Sequence, residues 1–164
     1  MKSETIRTLR RSALAIGLAA GLLVAHQVVR AEEAAPSKEE AEGIIFERQQ
    51  IMLQLEKDSD ALGDIAAGLR PIDQLAKTAQ AIAQGAKESR DAFKAKVPGG
   101  RAKPEVWTNW ADYQSRLDKF VIETEAMAKI AETGDLTAVT GMMITALPCK
   151  ECHDLYRAPK KPAV

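Results

Sequence analysis

Near one end of the chain stands Cys149-Lys150-Glu151-Cys152-His153, two thiols three positions apart with an imidazole directly after the second. This is the C-x-x-C-H pattern, which reads as the attachment site of a c-type haem. On a helix Cys149 and Cys152 share one face at i and i+3, and His153 lies one turn from Cys149. Thiols so placed can bond the two vinyl carbons on one porphyrin edge while the imidazole reaches the iron. The expected cofactor is one covalent haem c, held by Cys149 and Cys152, with His153 as an axial iron ligand.

Three other uses of these residues fit less well. A structural zinc site needs four ligands, usually Cys and His, yet past residue 31 these three are the only Cys and His in the chain. Carboxylates would have to complete the set. A thioredoxin-like redox pair expects a βαβ setting, for which there is no pattern here. A structural disulfide would leave His153 without a role.

The elements that must position this motif are helical. Aromatic residues make up 4% of the 164-residue chain, which argues against a strand-rich fold. Ser37 and Glu40 form a capping-box pattern that opens a helix over about Lys38 to Ala67. Along it Ile44, Arg48, Ile51, Leu55, Asp58, Leu62 and Ile65 recur at alternating spacings of four and three. Arg48 and Asp58 are polar interruptions of that seam, and Asp58 is expected at its surface edge.

Gly68 and Pro71 separate this helix from a second, about Pro71 to Lys96, with its seam at Ile72, Leu75, Ala79, Ile82, Ala86, Ser89 and Phe93. Val97-Pro98-Gly99-Gly100 breaks the chain, and Pro104 suits the first position of a third helix. Its seam is Val106, Trp110, Tyr113, Leu117, Phe120, Thr124, Met127 and Ala131. Gly134 closes it, and Asp135 caps a fourth helix carrying Leu136, Val139, Met143 and Ala146. A 3.5-residue apolar period with short links predicts an all-α, antiparallel up-down-up-down four-helix bundle. Pro148 has no N–H for a continuous helix and its ring clashes with the Ile144 carbonyl, so a break is expected just before Cys149.

The first 31 residues read as an export signal: basic Lys2 to Arg11, an apolar run from Ala13 to Ala25, and Val29-Arg30-Ala31 as a small-residue cleavage site. A retained anchor is the alternative, but His26 and Gln27 interrupt the run and about 20 apolar residues are needed to span a membrane. Arg10-Arg11 is compatible with twin-arginine export as well as with ordinary secretion. The expected organisation is a signal over 1–31, a tether over 32–36, a helical domain over 37–157 and a flexible tail over 158–164, in a periplasmic protein. Formal charge is zero overall, and about −4 past residue 31, with 18 basic against 22 acidic residues. That balance gives no electrostatic footprint for nucleic acid.

An export signal, a four-helix bundle and a C-terminal C-x-x-C-H together resemble the class II c-type cytochromes, the cytochrome c prime family. The bundle of that family is itself a standard example of the architecture. The resemblance runs from about Glu42 to Arg157. It rests on Arg48-Gln49, Lys103-Pro104-Glu105-Val106-Trp107, Gly134-Asp135-Leu136, and Cys149-Lys150-Glu151-Cys152-His153 followed by Tyr156-Arg157. Pro148 replaces the small residue usual at its position.

What the resemblance implies is a haem-propionate contact for Arg48 and Gln49, and a basic residue, Arg157, near the proximal haem face. It also places Met52 at the distal position, either as a sixth iron ligand or as an apolar lid over a vacant one. The two alternatives correspond to two functions: electron transfer through a six-coordinate haem, or binding of nitric oxide or carbon monoxide at a five-coordinate one. Met127, Met142 and Met143 sit where methionine is ordinarily packing. Past residue 31 no second histidine, further thiol or metal cluster supplies an acid, base or nucleophile, so a carrier rather than an enzyme is expected. Family members often form homodimers through their first two helices, where Ile45 and Leu53 lie beyond the main seam.

Overall fold

In a computed structural model, residues 35–160 are described; the expected signal over 1–31 and most of the tail lie outside them. Six α-helices follow in order: α1 Lys38–Ala66, α2 Leu75–Ala92, α3 Glu105–Thr108, α4 Trp110–Ala131, α5 Leu136–Ala146 and α6 Cys149–Tyr156, with a 3-10 turn at Ile72–Gln74 before α2. α1 packs on α2, α2 on α4, and α4 on α5. These contacts make the expected four-helix bundle, with its third and fourth arms each broken in two.

Local chemistry accounts for the ends. Ser37 Oγ accepts from Glu40 N–H at 3.2 Å, and Ser37 N–H donates to Glu40 Oε2 at 2.8 Å, so the capping box opens α1. Asp135 Oδ1 accepts from Ala138 N–H at 2.9 Å and caps α5. Pro148 separates α5 from α6, as its missing donor requires.

Three boundaries differ from the sequence expectation. α2 begins at Leu75 rather than Pro71, behind the 3-10 turn at Ile72–Gln74, and the expected seam residue Ile72 is exposed. α2 stops at Ala92 rather than Lys96, where the carbonyls that a longer helix would have used internally find another donor. The Arg48 guanidinium donates to Ala92 O (3.1 Å), Val97 O (2.6 Å) and Ala95 O. The expected third helix also breaks at Asn109, which has φ −117° and ψ 45°.

The core falls into two clusters. The larger joins Leu55, Leu62 and Ile65 of α1 to Leu75, Ala79 and Ile82 of α2, Met127 and Ala131 of α4, and Val139 and Ala146 of α5. The smaller is aromatic, with Phe93, Val106, Tyr113, Leu117 and Tyr156 buried, and Trp107, Trp110 and Cys152 against them. Asp58 lies at the edge of α1 and accepts from Gln54 Nε2 at 3.0 Å. Among the described residues no helix is long and apolar enough to cross a membrane.

The turn after α2 lies against α1. Gly99 has φ +145°, and a Cβ there would meet Ile45 Cδ1 at 2.4 Å. Ile45 is thus covered from within the chain, while Phe46 and Leu53 on the same helix stay exposed. Gly99→Ala is expected to destabilise the fold by about 1–3 kcal/mol, the usual cost of such backbone strain, and a urea unfolding midpoint below that of the parent protein would register it.

Candidate functional site

α6 presents the motif in two helical turns. Neither cysteine is in a disulfide, Cys149 being exposed and Cys152 half-buried. Desolvation of the sulfurs, which is partial at the otherwise exposed Cys149, raises both thiols above their ordinary pKa, so they are uncharged at neutral pH. The half-buried His153 imidazole is held below its ordinary pKa, first by burial and then by the cations Arg157 and Arg101. Arg157 Nη1 lies 3.3 Å from His153 Nδ1. The neutral imidazole is the form that ligates a metal.

An eight-residue helix has no stability of its own, so α6 depends on what holds it. The segment before α3 runs antiparallel to its exit, with Lys103 N–H donating to Tyr156 O (2.9 Å) and Ala158 N–H to Arg101 O (2.8 Å). Lys103 Nζ donates to the Asp154 and Leu155 carbonyls at 2.9 and 3.1 Å, which caps the helix end with a cation. Tyr156 packs edge-on against Tyr113, with centroids 4.9 Å apart. Its hydroxyl donates to Asp112 Oδ2 and accepts from Asn109 Nδ2 at 3.2 Å. Arg116 Nε donates to the same Asp112 oxygen at 2.7 Å. Arg116 first, and Tyr156 second, hold the Asp112 carboxyl below its usual range.

The structure brings some of the expected residues together. Met52 is half-buried and packs against both clusters, so it borders the aromatic group that also contacts Cys152. Arg48, one turn earlier, is 5% exposed, with its guanidinium 4.5 Å from the Phe93 ring centroid and 5.2 Å from that of Trp107. Gln49 is exposed beside the same turn, where a Cβ on Gly100 would lie 3.5 Å from its Nε2. Met127 is fully buried and Met142 and Met143 flank the larger cluster, all as packing residues.

Sequence reasoning gave no role to Asn109, Asp112 or Arg116. Asp112 and Arg116 stand four apart off the apolar seam and resemble any surface helix pair; only the fold brings Tyr156 to them. The loop-capping role of Arg48 was likewise invisible, although its place on an apolar seam marked it as unusual.

These features suit a covalent haem. Two uncharged thiols share a helix face, a neutral imidazole follows, an aromatic wall stands behind Cys152, and a thioether borders that wall. Among the described residues no group of three or more His, Cys, Asp or Glu side chains is placed to hold a metal ion.

Residues 43–157 match the family model described as Cytochrome C'. Cytochrome c-556 of Agrobacterium fabrum is 28% identical over 123 residues, covering 73% of this chain and 84% of that protein. Cytochrome c' of Alcaligenes xylosoxydans xylosoxydans is 31% identical over 70 residues, or 42% of this chain and 55% of its own. Among solved structures, a nitric oxide complex of a mutant cytochrome c prime from Alcaligenes xylosoxidans matches with a TM-score of 0.68 at 23% identity, covering 73% of this chain and 97% of that one. A carbon monoxide-bound variant of the same cytochrome has a TM-score of 0.67 at 22% identity over the same shares. The structural likeness supports the bundle, and the family match spans more than half of the chain: it belongs to the cytochrome c′ family, whose members are haem carriers with covalently attached haem c.

Proposed function

We propose that this chain is a periplasmic mono-haem cytochrome that transfers electrons, with its haem joined to Cys149 and Cys152, ligated by His153 on one side and by Met52 on the other. The observation that carries this reading is the place of Met52, against the same aromatic cluster as Cys152. A bound haem supplies one-electron exchange at its iron, tuned by axial ligation, burial and hydrogen bonding. The chain contributes a neutral imidazole from His153, a soft thioether from Met52 and an apolar wall that excludes water. The exposed Gln49 serves the propionate side, Arg48 behind it holds the turn after α2 through the Ala92, Ala95 and Val97 carbonyls rather than reaching a propionate itself, and Arg157 serves the proximal face. The helical domain spans 37–157 in this reading.

A second reading has support of its own, since the solved neighbours include nitric oxide and carbon monoxide complexes. There Met52 would be a lid and the iron would take a gas at the distal position. The visible spectrum of the purified ferrous holoprotein separates the two. Sharp low-spin bands are expected for methionine ligation, and a broad high-spin band would overturn it in favour of gas binding.

Family members are periplasmic, and the basic, apolar and small-residue order of residues 1–31 is that of a cleaved signal. Sequencing the N-terminus of exported protein is expected to begin near Glu32. Membrane-bound material that still starts at Met1 would mean an anchor instead.

A further inference from the structure

The haem motif sits on a helix that is cut off from the one before it. Pro148 interrupts the fourth arm, and α6 has only Cys149–Tyr156 with which to set its own direction. A helix that short takes its orientation from tertiary contacts. Tyr156 is the one residue of α6 that is buried. It stands four places after Cys152 and three after His153, hence on the helix face shared with both.

The Tyr156 hydroxyl is met by two side chains from the start of the third arm, and a third braces one of them. Asn109 donates to it, Asp112 accepts from it, and Arg116 holds the accepting oxygen from the other side. The break at Asn109 that the sequence did not foretell lies at this junction. Apart from the strap at residues 101–103, this is where the polar side chains of α6 are tied to another helix: the ion pair of Lys150 with Asp154 lies within α6. A hydroxyl with a donor and an acceptor both fixed cannot rotate freely, so the link constrains rotation of α6 about its axis as well as its distance from α4.

We propose that Asp112 and Tyr156 are positioning residues for the haem: their hydrogen bond fixes the rotation of α6, and with it the angle at which Cys152 and His153 are presented. Arg116 orients the Asp112 carboxylate for that bond, and Asn109 orients the phenol. Neither Asp112 nor Tyr156 needs to touch the iron. The effect passes through one helical turn, from the hydroxyl to the imidazole three residues earlier. This inference rests on the proposed ligation by His153 and is independent of the choice between electron transfer and gas binding.

The test uses haem-loaded protein with three substitutions. Tyr156→Phe keeps the ring against Tyr113 and removes the hydroxyl. Asp112→Ala removes the acceptor, and Asp112→Asn keeps an acceptor oxygen while removing the charge. The Asp112 side chain is 40% exposed, so these changes are compatible with a folded bundle. Two readouts are taken: the iron–histidine stretching band in the resonance Raman spectrum of ferrous, five-coordinate protein, opened where necessary by Met52→Ala, and amide exchange along residues 150–157. Tyr156→Phe and Asp112→Ala are both expected to shift and broaden the band, and to speed α6 exchange about ten-fold, as the loss of one hydrogen bond would. Asp112→Asn is expected to restore both toward the parent values. A parent-like band in Tyr156→Phe, or an Asp112→Asn protein as perturbed as Asp112→Ala, would overturn the positioning role while leaving ligation intact. Absence of any iron–histidine band in the five-coordinate protein, Met52→Ala where the parent is six-coordinate, would overturn His153 ligation and this inference with it.

Discussion

Replacing both Cys149 and Cys152 by alanine is expected to bring covalent haem from one per chain to none. Thioethers are the only covalent tether the chain offers, since these are its only cysteines. Each single substitution leaves one thioether and is expected to lower the yield of haem-bearing protein and to broaden its spectrum. Intact-mass spectrometry after expression in a host that matures c-type cytochromes reads the result directly. The parent should carry one haem mass and the double variant none. Two free thiols and an unmodified mass in the parent would remove the basis for the haem site at this motif. Because the tethered haem is buried and ligated by the protein only when the chain is folded, the double variant should also unfold at a lower temperature than the holoprotein.

Met52→Ala is the second large effect. If the thioether ligates iron, its removal converts a low-spin ferrous spectrum to a high-spin one and lowers the reduction potential, because methionine ligation favours the ferrous state. Each ten-fold of preference for ferrous over ferric iron corresponds to about 59 mV in a one-electron couple, so a fall of that order or larger is expected. Potentiometric titration followed in the visible region measures both changes in one experiment. If Met52 is only a lid, the parent is already high-spin, and the substitution speeds carbon monoxide binding without changing spin state. An identical spin state before and after substitution therefore tells against ligation. The half-buried position of Met52 between the two apolar clusters makes the substitution tolerable to the bundle in either case.

The motif and the bundle were legible because each depends on short-range spacing. Cys149, Cys152 and His153 are neighbours in sequence, and the seams that carry Leu55, Leu62, Met127 and Val139 follow helical periodicity whatever lies opposite them. Ser37 with Glu40, Asp135 with Ala138, and Pro148 act within a turn, and the structure has them where the sequence suggested. The misses share a different cause. The early end of α2 depends on Arg48, whose acceptors lie 44 to 49 residues away. The roles of Asn109 and Asp112 depend on Tyr156, 47 and 44 residues away. No local propensity encodes contacts of that span. Arg48 on the α1 seam was the one visible trace of them: a guanidinium at an apolar position needs acceptors, and the carbonyls at and after the end of α2 supply them.

The division of the core into two clusters bears on the order in which protein and cofactor come together. The larger cluster draws its buried side chains from α1, α2, α4 and α5 and takes none from α6. The aromatic cluster is completed by Tyr156, with Cys152 against it. Most of the apolar burial can therefore form while the last eight-residue helix is still open, its thiols within reach of the enzymes that join them to a porphyrin. Closure of the strap and insertion of the Tyr156 ring can then follow. A chain built this way permits its cofactor to be installed on a flap and latched afterwards, so that a failure of attachment should leave a stable but unlatched bundle rather than an unfolded chain.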